Sequence, residues 1–215
     1  MTRNEEGALS PEPHAMETVI RQTITMHDEQ YSRMRFGHLS KLDMFHHHDD
    51  TPDGKAELLV PLVLPQVPDH KRVIYAIYEY DPLLDSSNMT MDDWIQIAKD
   101  IKDAYEMFDG FVVLHGTDTL AYTASALSFM LENIGKPVIV TGSQIPAFET
   151  RTDGRDNFIG ALILAGNYNI PEVTVYFRYL LPHSKHLMHL GCIRFCLFDV
   201  LIYKPFHFDF QTQLD

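Results

Sequence analysis

Residues 111–119 read Phe-Val-Val-Leu-His-Gly-Thr-Asp-Thr, and the fold is read outward from them. Five mostly apolar residues, Phe111 to His115, lie between Asp109-Gly110 and Gly116. That length and those boundaries predict a buried strand. Thr117, Asp118 and Thr119 then fall at the strand's carboxyl end, where a helix begins. In open α/β sheets that edge is where ligands bind. Two readings of the triplet stand side by side at this point. Asp or Thr before a helix is commonly an N-cap. The same hydroxyls and carboxylate, beside a glycine that lets backbone come close, also suit a site for a small polar substrate.

Both flanks of this strand repeat one grammar. Upstream, residues 72–80 run almost continuously apolar through Val73-Ile74-Tyr75-Ala76-Ile77-Tyr78, as a strand covered on both faces should. Residues 58–64 are a further strand candidate. Thr90, with Asp93 three residues on, predicts a helix start. Trp94, Ile97, Ala98, Ile101, Tyr105 and Phe108 then fit one helical face, and Asp109-Gly110 reads as the stop. Downstream, residues 121–134 predict a helix apolar on most sides, placed against the sheet or a subunit interface, with Gly135 as its C′ residue. Residues 137–142 give the next strand, residues 143–155 a Gly- and Pro-punctuated loop, residues 156–169 a helix, and residues 173–177 another strand. Strand, loop and helix repeated with short connections mean an α/β fold, a mostly parallel sheet with helices on both faces. Residues 15–35 have a loose helical pattern. Residues 38–55 read as a solvated polar insert, and its His46-His47-His48-Asp49-Asp50 run as loop rather than metal site, because adjacent side chains point different ways.

Composition narrows the function classes. A formal charge of −13 argues against nucleic acid as partner. With 45% apolar residues the chain has material for a substantial core. Two cysteines, Cys192 and Cys196, give no disulfide framework, and the acidic start shows no apolar leader, so the expectation is a cytoplasmic protein. The longest apolar stretch, residues 187–206, is broken by Arg194, Asp199 and Lys204, so no membrane span is expected.

Two strand-to-helix loops carry the chemistry. Asp85-Ser86-Ser87 follows one strand and Thr117-Asp118 a later one. A wound sheet can bring both to the same carboxyl edge. Hydroxyls there donate to a carboxylate and Asp118 accepts from an ammonium, a combination suited to a zwitterionic amino acid. Two ordinary caps remain the alternative on composition alone.

Two longer segments carry a resemblance. The run from His115 through Gly-Thr-Asp-Thr to Asn133, and Lys136-Pro-Val-Ile-Val-Thr-Gly-Ser-Gln-Ile-Pro146, resemble the bacterial-type L-asparaginase family. The likeness extends to its cytoplasmic type I enzymes and to the asparaginase half of the animal 60 kDa lysophospholipase. Pro82 to Met89 and Thr152-Asp-Gly-Arg155 fit as well. The resemblance implies the family's Rossmann-like N-terminal domain over residues 1–177, incomplete because it lacks its first strand, a divergent tail of unknown structure over residues 178–215, and no C-terminal asparaginase domain. It implies hydrolysis of L-asparagine to L-aspartate and ammonia through an acyl-enzyme on a threonine, with no metal or other cofactor. It assigns Thr117 and Asp118 as a catalytic pair, the Asp also holding the substrate's amino group within a Thr–Lys–Asp relay. It assigns Asp85, Ser86 and Ser87 as the substrate-binding loop.

The family's Thr-Gly-Gly-Thr-Ile-Gly nucleophile segment has no counterpart here, and the relay lysine's position is taken, without gaps, by His189, with Lys185 out of register. The chain thus reads as truncated at both ends: a product of truncation or alternative splicing, or a gene-model fragment. Its expected partners are L-asparagine and either a second copy or a full-length homologue. The alternative function is a non-catalytic asparaginase-like binding or regulatory subunit. In the tail, the i, i+4 pair Cys192 and Cys196 reads as buried thiols, and Phe195, Phe198, Phe206, Phe208 and Phe210 as an association surface.

Overall fold

The computed structural model describes residues 2–3, 9–10, 15–37, 61–145, 149–177 and 198–203. The expectations for the histidine run at residues 46–48, for Lys185, His189, Cys192 and Cys196, and for the phenylalanines other than Phe198 fall outside the described residues.

Two short strands, β1 (Thr2–Arg3) and β2 (Leu9–Ser10), form an antiparallel ribbon. Helices α1 (Ala15–Gln22) and α2 (Glu29–Phe36) follow, separated at the β-branched run Thr23-Ile24-Thr25. Asp28 caps α2, its carboxylate accepting from the Tyr31 amide at 3.0 Å and from Arg72 at 2.7 Å. The main sheet contains β3 (Leu62–Val63), β4 (Ile74–Tyr78), β5 (Phe108–Leu114), β6 (Val138–Thr141), β7 (Val173–Val175) and β8 (Phe198–Tyr203). Their spatial order is β3-β4-β8-β5-β6-β7.

Strands β5, β6 and β7 pair in parallel. Strand β8 is antiparallel to both β4 and β5, so those two run the same way as each other. The connection from β4 to β5 skips one strand position, and β8, from the expected tail, occupies it. Strand β3 pairs antiparallel to β4 at the outer edge.

The period-2 alternation of β5 splits the core into two layers. Phe111 and Val113 face α3 (Met91–Asp103) and α4 (Leu120–Met130), packing with Ile97, Ile101, Ala124 and Leu127. Val112 and Leu114 face the other way, onto Phe158, Ala161 and Leu162 of α5 (Gly154–Asn167) and Ile20 of α1. Helices therefore cover both faces, as a buried strand without polar alternation requires. Val138, Ile139 and Val140 of β6 are fully buried, each contributing about 1.5–3 kcal/mol through the apolar area it removes from water.

Several boundaries differ from the sequence reading for local reasons. Asp109-Gly110 does not stop the preceding helix, which ends at Asp103; it lies inside β5, at a register shift against β8. Gly110 is there because a Cβ would meet the Ala165 carbonyl oxygen at 2.6 Å, so α5 lies directly on that strand. Helix α4 ends at Met130, and the left-handed residue beyond it is Asn133 (φ 59°), not Gly135. The apolar character of α4 is only partly used inside: Leu120, Ala124 and Leu127 are buried, whereas Tyr122 and Phe129 are exposed. Among the described residues, no helix is long and apolar enough to cross a membrane.

Candidate active site

The shared direction of β4 and β5 decides where the two loops lie. Beyond Tyr78 the chain passes a cis Asp81-Pro82 peptide and closes a single 3-10 turn, Ser86–Asn88. Asp85 caps this turn: its carboxylate accepts from the Ser87 amide at 3.0 Å. For Asp85 the cap reading therefore describes its contact in the chain. Ser86 is fully buried and Ser87 is exposed.

Beyond Leu114 the chain enters His115-Gly116-Thr117-Asp118-Thr119, then α4. Here capping does not account for the hydroxyls of Thr117 and Thr119. Thr119 stands at the N-cap position, yet its side chain makes no cap hydrogen bond. Its hydroxyl instead donates to the Ser86 carbonyl at 2.7 Å, across 33 residues of chain. The turn at 85–87 and the turn at 117–119 are thus joined directly at one edge of the sheet.

Replacing Thr119 with valine keeps the shape and removes this bond. The expected cost is about 1 kcal/mol, the net worth of a neutral hydrogen bond, with the amide resonances of Ser86 and Ser87 displaced. Urea denaturation and amide spectra that match the parent chain would dismiss the tie as incidental.

The convergence leaves two hydroxyls unpartnered among the described residues. Ser86 Oγ and Thr117 Oγ1 are both buried and have no hydrogen-bond partner among the described residues. The other such atoms, Asn167 Nδ2 and Thr174 Oγ1, belong to the end of α5 and to the outer strand β7. Buried polar atoms are nearly always partnered, so each exception calls for an explanation. Asp118 is partly exposed in the same loop.

Beneath the loops lies a polar network that the sequence reading passed over. His115, read as the last residue of the strand, is fully buried. One ring nitrogen, Nδ1, contacts the Gly116 carbonyl, and Nε2 lies 2.7 Å from Thr123 Oγ1. The Trp94 indole N–H donates to the same hydroxyl at 2.9 Å. Burial holds the His115 imidazole down at a pKa of about 4, against a smaller upward pull from the Gly116 carbonyl. The ring is therefore neutral at pH 7.

A third loop closes the site from β6. Gly142 packs so closely on the first loop that a Cβ would meet the His115 carbonyl oxygen at 2.2 Å. The Asn157 side chain donates to the Gly142 carbonyl at 2.8 Å, and the Asp153 carboxylate accepts from the Gln144 and Ile145 amides, each at 3.0 Å. Asp153 thus organises residues 142–145. The signal available in the sequence was Thr152-Asp153-Gly154, a short acidic turn opening a helix.

With this geometry in hand, the comparisons with known proteins agree on one lineage. The family model described as asparaginase, N-terminal matches residues 45–201. The chain belongs to the asparaginase N-terminal family. That family is one of amidohydrolases, and the match runs past β7 into β8.

Three curated relatives show the same kinship. An L-asparaginase of Dirofilaria immitis is 51% identical over 173 residues, covering 80% of this chain and 26% of the relative. L-asparaginase 1 of Escherichia coli K12 is 63% identical over 114 residues, covering 53% of this chain and 32% of the enzyme. The 60 kDa lysophospholipase of Mus musculus is 40% identical over 196 residues, covering 91% and 31% respectively. The crystal structure of L-asparaginase I from Vibrio cholerae superimposes with a TM-score of 0.51 at 56% identity, over 56% of this chain and 37% of that one. The chain spans between about a quarter and a third of the curated relatives it matches.

Proposed function

We propose that this chain carries the substrate-gripping part of an L-asparagine amidohydrolase site. In this reading Ser86 Oγ donates to the substrate's α-carboxylate and Asp118 accepts from its α-ammonium. Thr117 Oγ1 faces the scissile amide. Asp85 shapes the loop that presents Ser86, and Ser87 is the exposed member of that loop. One observation supports this above others: two buried hydroxyls without partners among the described residues, one on each of two loops tied together by the Thr119–Ser86 bond. A bound amino acid would supply the acceptors they lack. Residues 1–177 are proposed as the family's N-terminal domain, with the tail supplying β8 to its sheet. The acidic composition favours the cytoplasm.

The second reading, an asparaginase-like subunit that binds without turnover, has its own support. A threonine attacks a carbonyl only when a base takes its proton. Thr117 Oγ1 has no hydrogen-bond partner among the described residues, and both nitrogens of the adjacent His115 are engaged elsewhere. Turnover then needs a base from outside the described residues, in the rest of this chain, a second copy or a full-length homologue.

Calorimetric titration with L-aspartate and L-asparagine, alongside ammonia release, separates these readings. Ser86→Ala and Thr117→Val are expected to raise the stability of the unliganded chain by about 1 kcal/mol, because each removes a buried, unsatisfied hydroxyl. The same two substitutions should weaken L-aspartate binding at least tenfold. Ammonia released by the purified chain and abolished in Thr117→Ala supports catalysis. Binding with no ammonia supports the subunit reading. Neither binding nor ammonia overturns both.

A further inference from the structure

The donors and acceptors around His115 admit one low-energy arrangement of protons. Trp94 Nε1–H is a donor only, so Thr123 Oγ1 accepts from it at 2.9 Å. The hydroxyl's own proton then has two places to go: His115 Nε2 at 2.7 Å, or the Met89 thioether sulfur at 3.9 Å. The imidazole nitrogen is much the stronger acceptor. If Nε2 accepts, a neutral ring carries its proton on Nδ1, facing the Gly116 carbonyl oxygen. The opposite tautomer would set two lone pairs against each other at that contact. Burial at 1% exposure leaves no water to relieve it.

We propose that His115 is a positioning residue, a neutral Nδ1–H imidazole that clamps the Gly116 carbonyl and so fixes the peptide plane from which Thr117 projects. The Gly116–Thr117 peptide is one rigid unit, so holding its oxygen also orients the Thr117 amide and Cα. The clamp is anchored on two separate elements. Thr123 belongs to α4 and Trp94 to α3. The Met89 sulfur, at the end of the turn that carries Ser86, lies 3.9 Å from the Thr123 hydroxyl and takes no proton in this arrangement. This inference rests on the functional reading above for the meaning of Thr117, but the clamp itself does not.

Three measurements test it. Long-range 15N–1H correlation of the unliganded parent chain should show His115 protonated at Nδ1 and bare at Nε2; the reverse pattern overturns the proposal. Asparagine and glutamine then divide the ring's two roles, since the asparagine amide reaches the Nδ1 position and the glutamine amide the Nε2 position. His115→Asn should recover the parent resonance of the Thr117 amide and L-aspartate affinity within about threefold. His115→Gln should shift that amide and weaken L-aspartate binding at least tenfold. Equal losses in the two variants, or no loss in His115→Gln, overturn the proposal. If the parent chain binds no L-aspartate, the functional reading fails alone, and the tautomer and the Thr117 amide still decide the clamp.

Discussion

Gly142→Ala is expected to destabilise the fold by about 3 kcal/mol, at the upper end of what overpacking costs, and to displace the loop that holds Thr117. The added methyl would lie 2.2 Å from the His115 carbonyl oxygen, a backbone atom that cannot swing aside as a side-chain tip can. Relief requires β6 and the end of β5 to separate where the His115 amide donates to the Thr141 carbonyl at 2.7 Å. It also pushes on Asn157, whose side chain holds the Gly142 carbonyl. Urea denaturation should show the midpoint fall with an unchanged m-value. A variant within 0.5 kcal/mol of the parent, the range of an ordinary surface change, would mean that the two strands are not packed as described.

The second large effect is acid sensitivity well above the carboxylate range. His115 ionises near pH 4 in the folded chain, against an ordinary value of about 6.5. Between those values the unfolded chain binds the proton and the native chain does not, so stability falls as pH drops. The slope is about 1.4 kcal/mol per pH unit, and the loss reaches about 3 kcal/mol by pH 4. The contribution is fully present above about pH 6.5 and gone below about pH 4.

His27 adds to the loss with the same sign. It is buried, its Nδ1 accepts from the Val63 amide at 3.2 Å, and its pKa is lowered chiefly by burial, then by Arg21. Urea titrations at pH 7.5, 6.5, 5.5 and 4.5 should trace the decline, with a shallower slope in His115→Asn. A flat profile from pH 6.5 to 4.5 would show that neither imidazole is excluded from water.

How much of this was legible in advance depends on whether the signal was local. The strands β5 and β6 announce themselves as short apolar runs between turn residues, the helix at Met91–Asp103 by its 3.6-residue period and by Thr90 with Asp93, and the structure has the Thr90 amide donating to the Asp93 carboxylate at 2.6 Å. Contacts that cross the fold left no such mark. Gly110 reads as punctuation from its neighbours, yet its absent side chain is explained by Ala165, 55 positions away. Thr119 looks like a cap until the Ser86 carbonyl is seen beside it. His115 counts as one more strand residue until Trp94 and Thr123 are placed around it. Strand β8 was hidden differently. Phe198-Asp-Val-Leu-Ile-Tyr203 has a strand's composition, but only pairing with β4 and β5 shows that it belongs to the sheet.

That strand also orders events during synthesis. Position 203 must leave the ribosome before the β3–β4 pair can be joined to the β5–β7 block, because the piece between them is encoded last among the described strands of the sheet. Until then each nascent half carries an open row of amides and carbonyls facing its counterpart. Slow, non-local closure of this kind exposes a chain to mispairing, so translation rate and chaperone access should bear on its yield more than on that of a protein whose central strand emerges first.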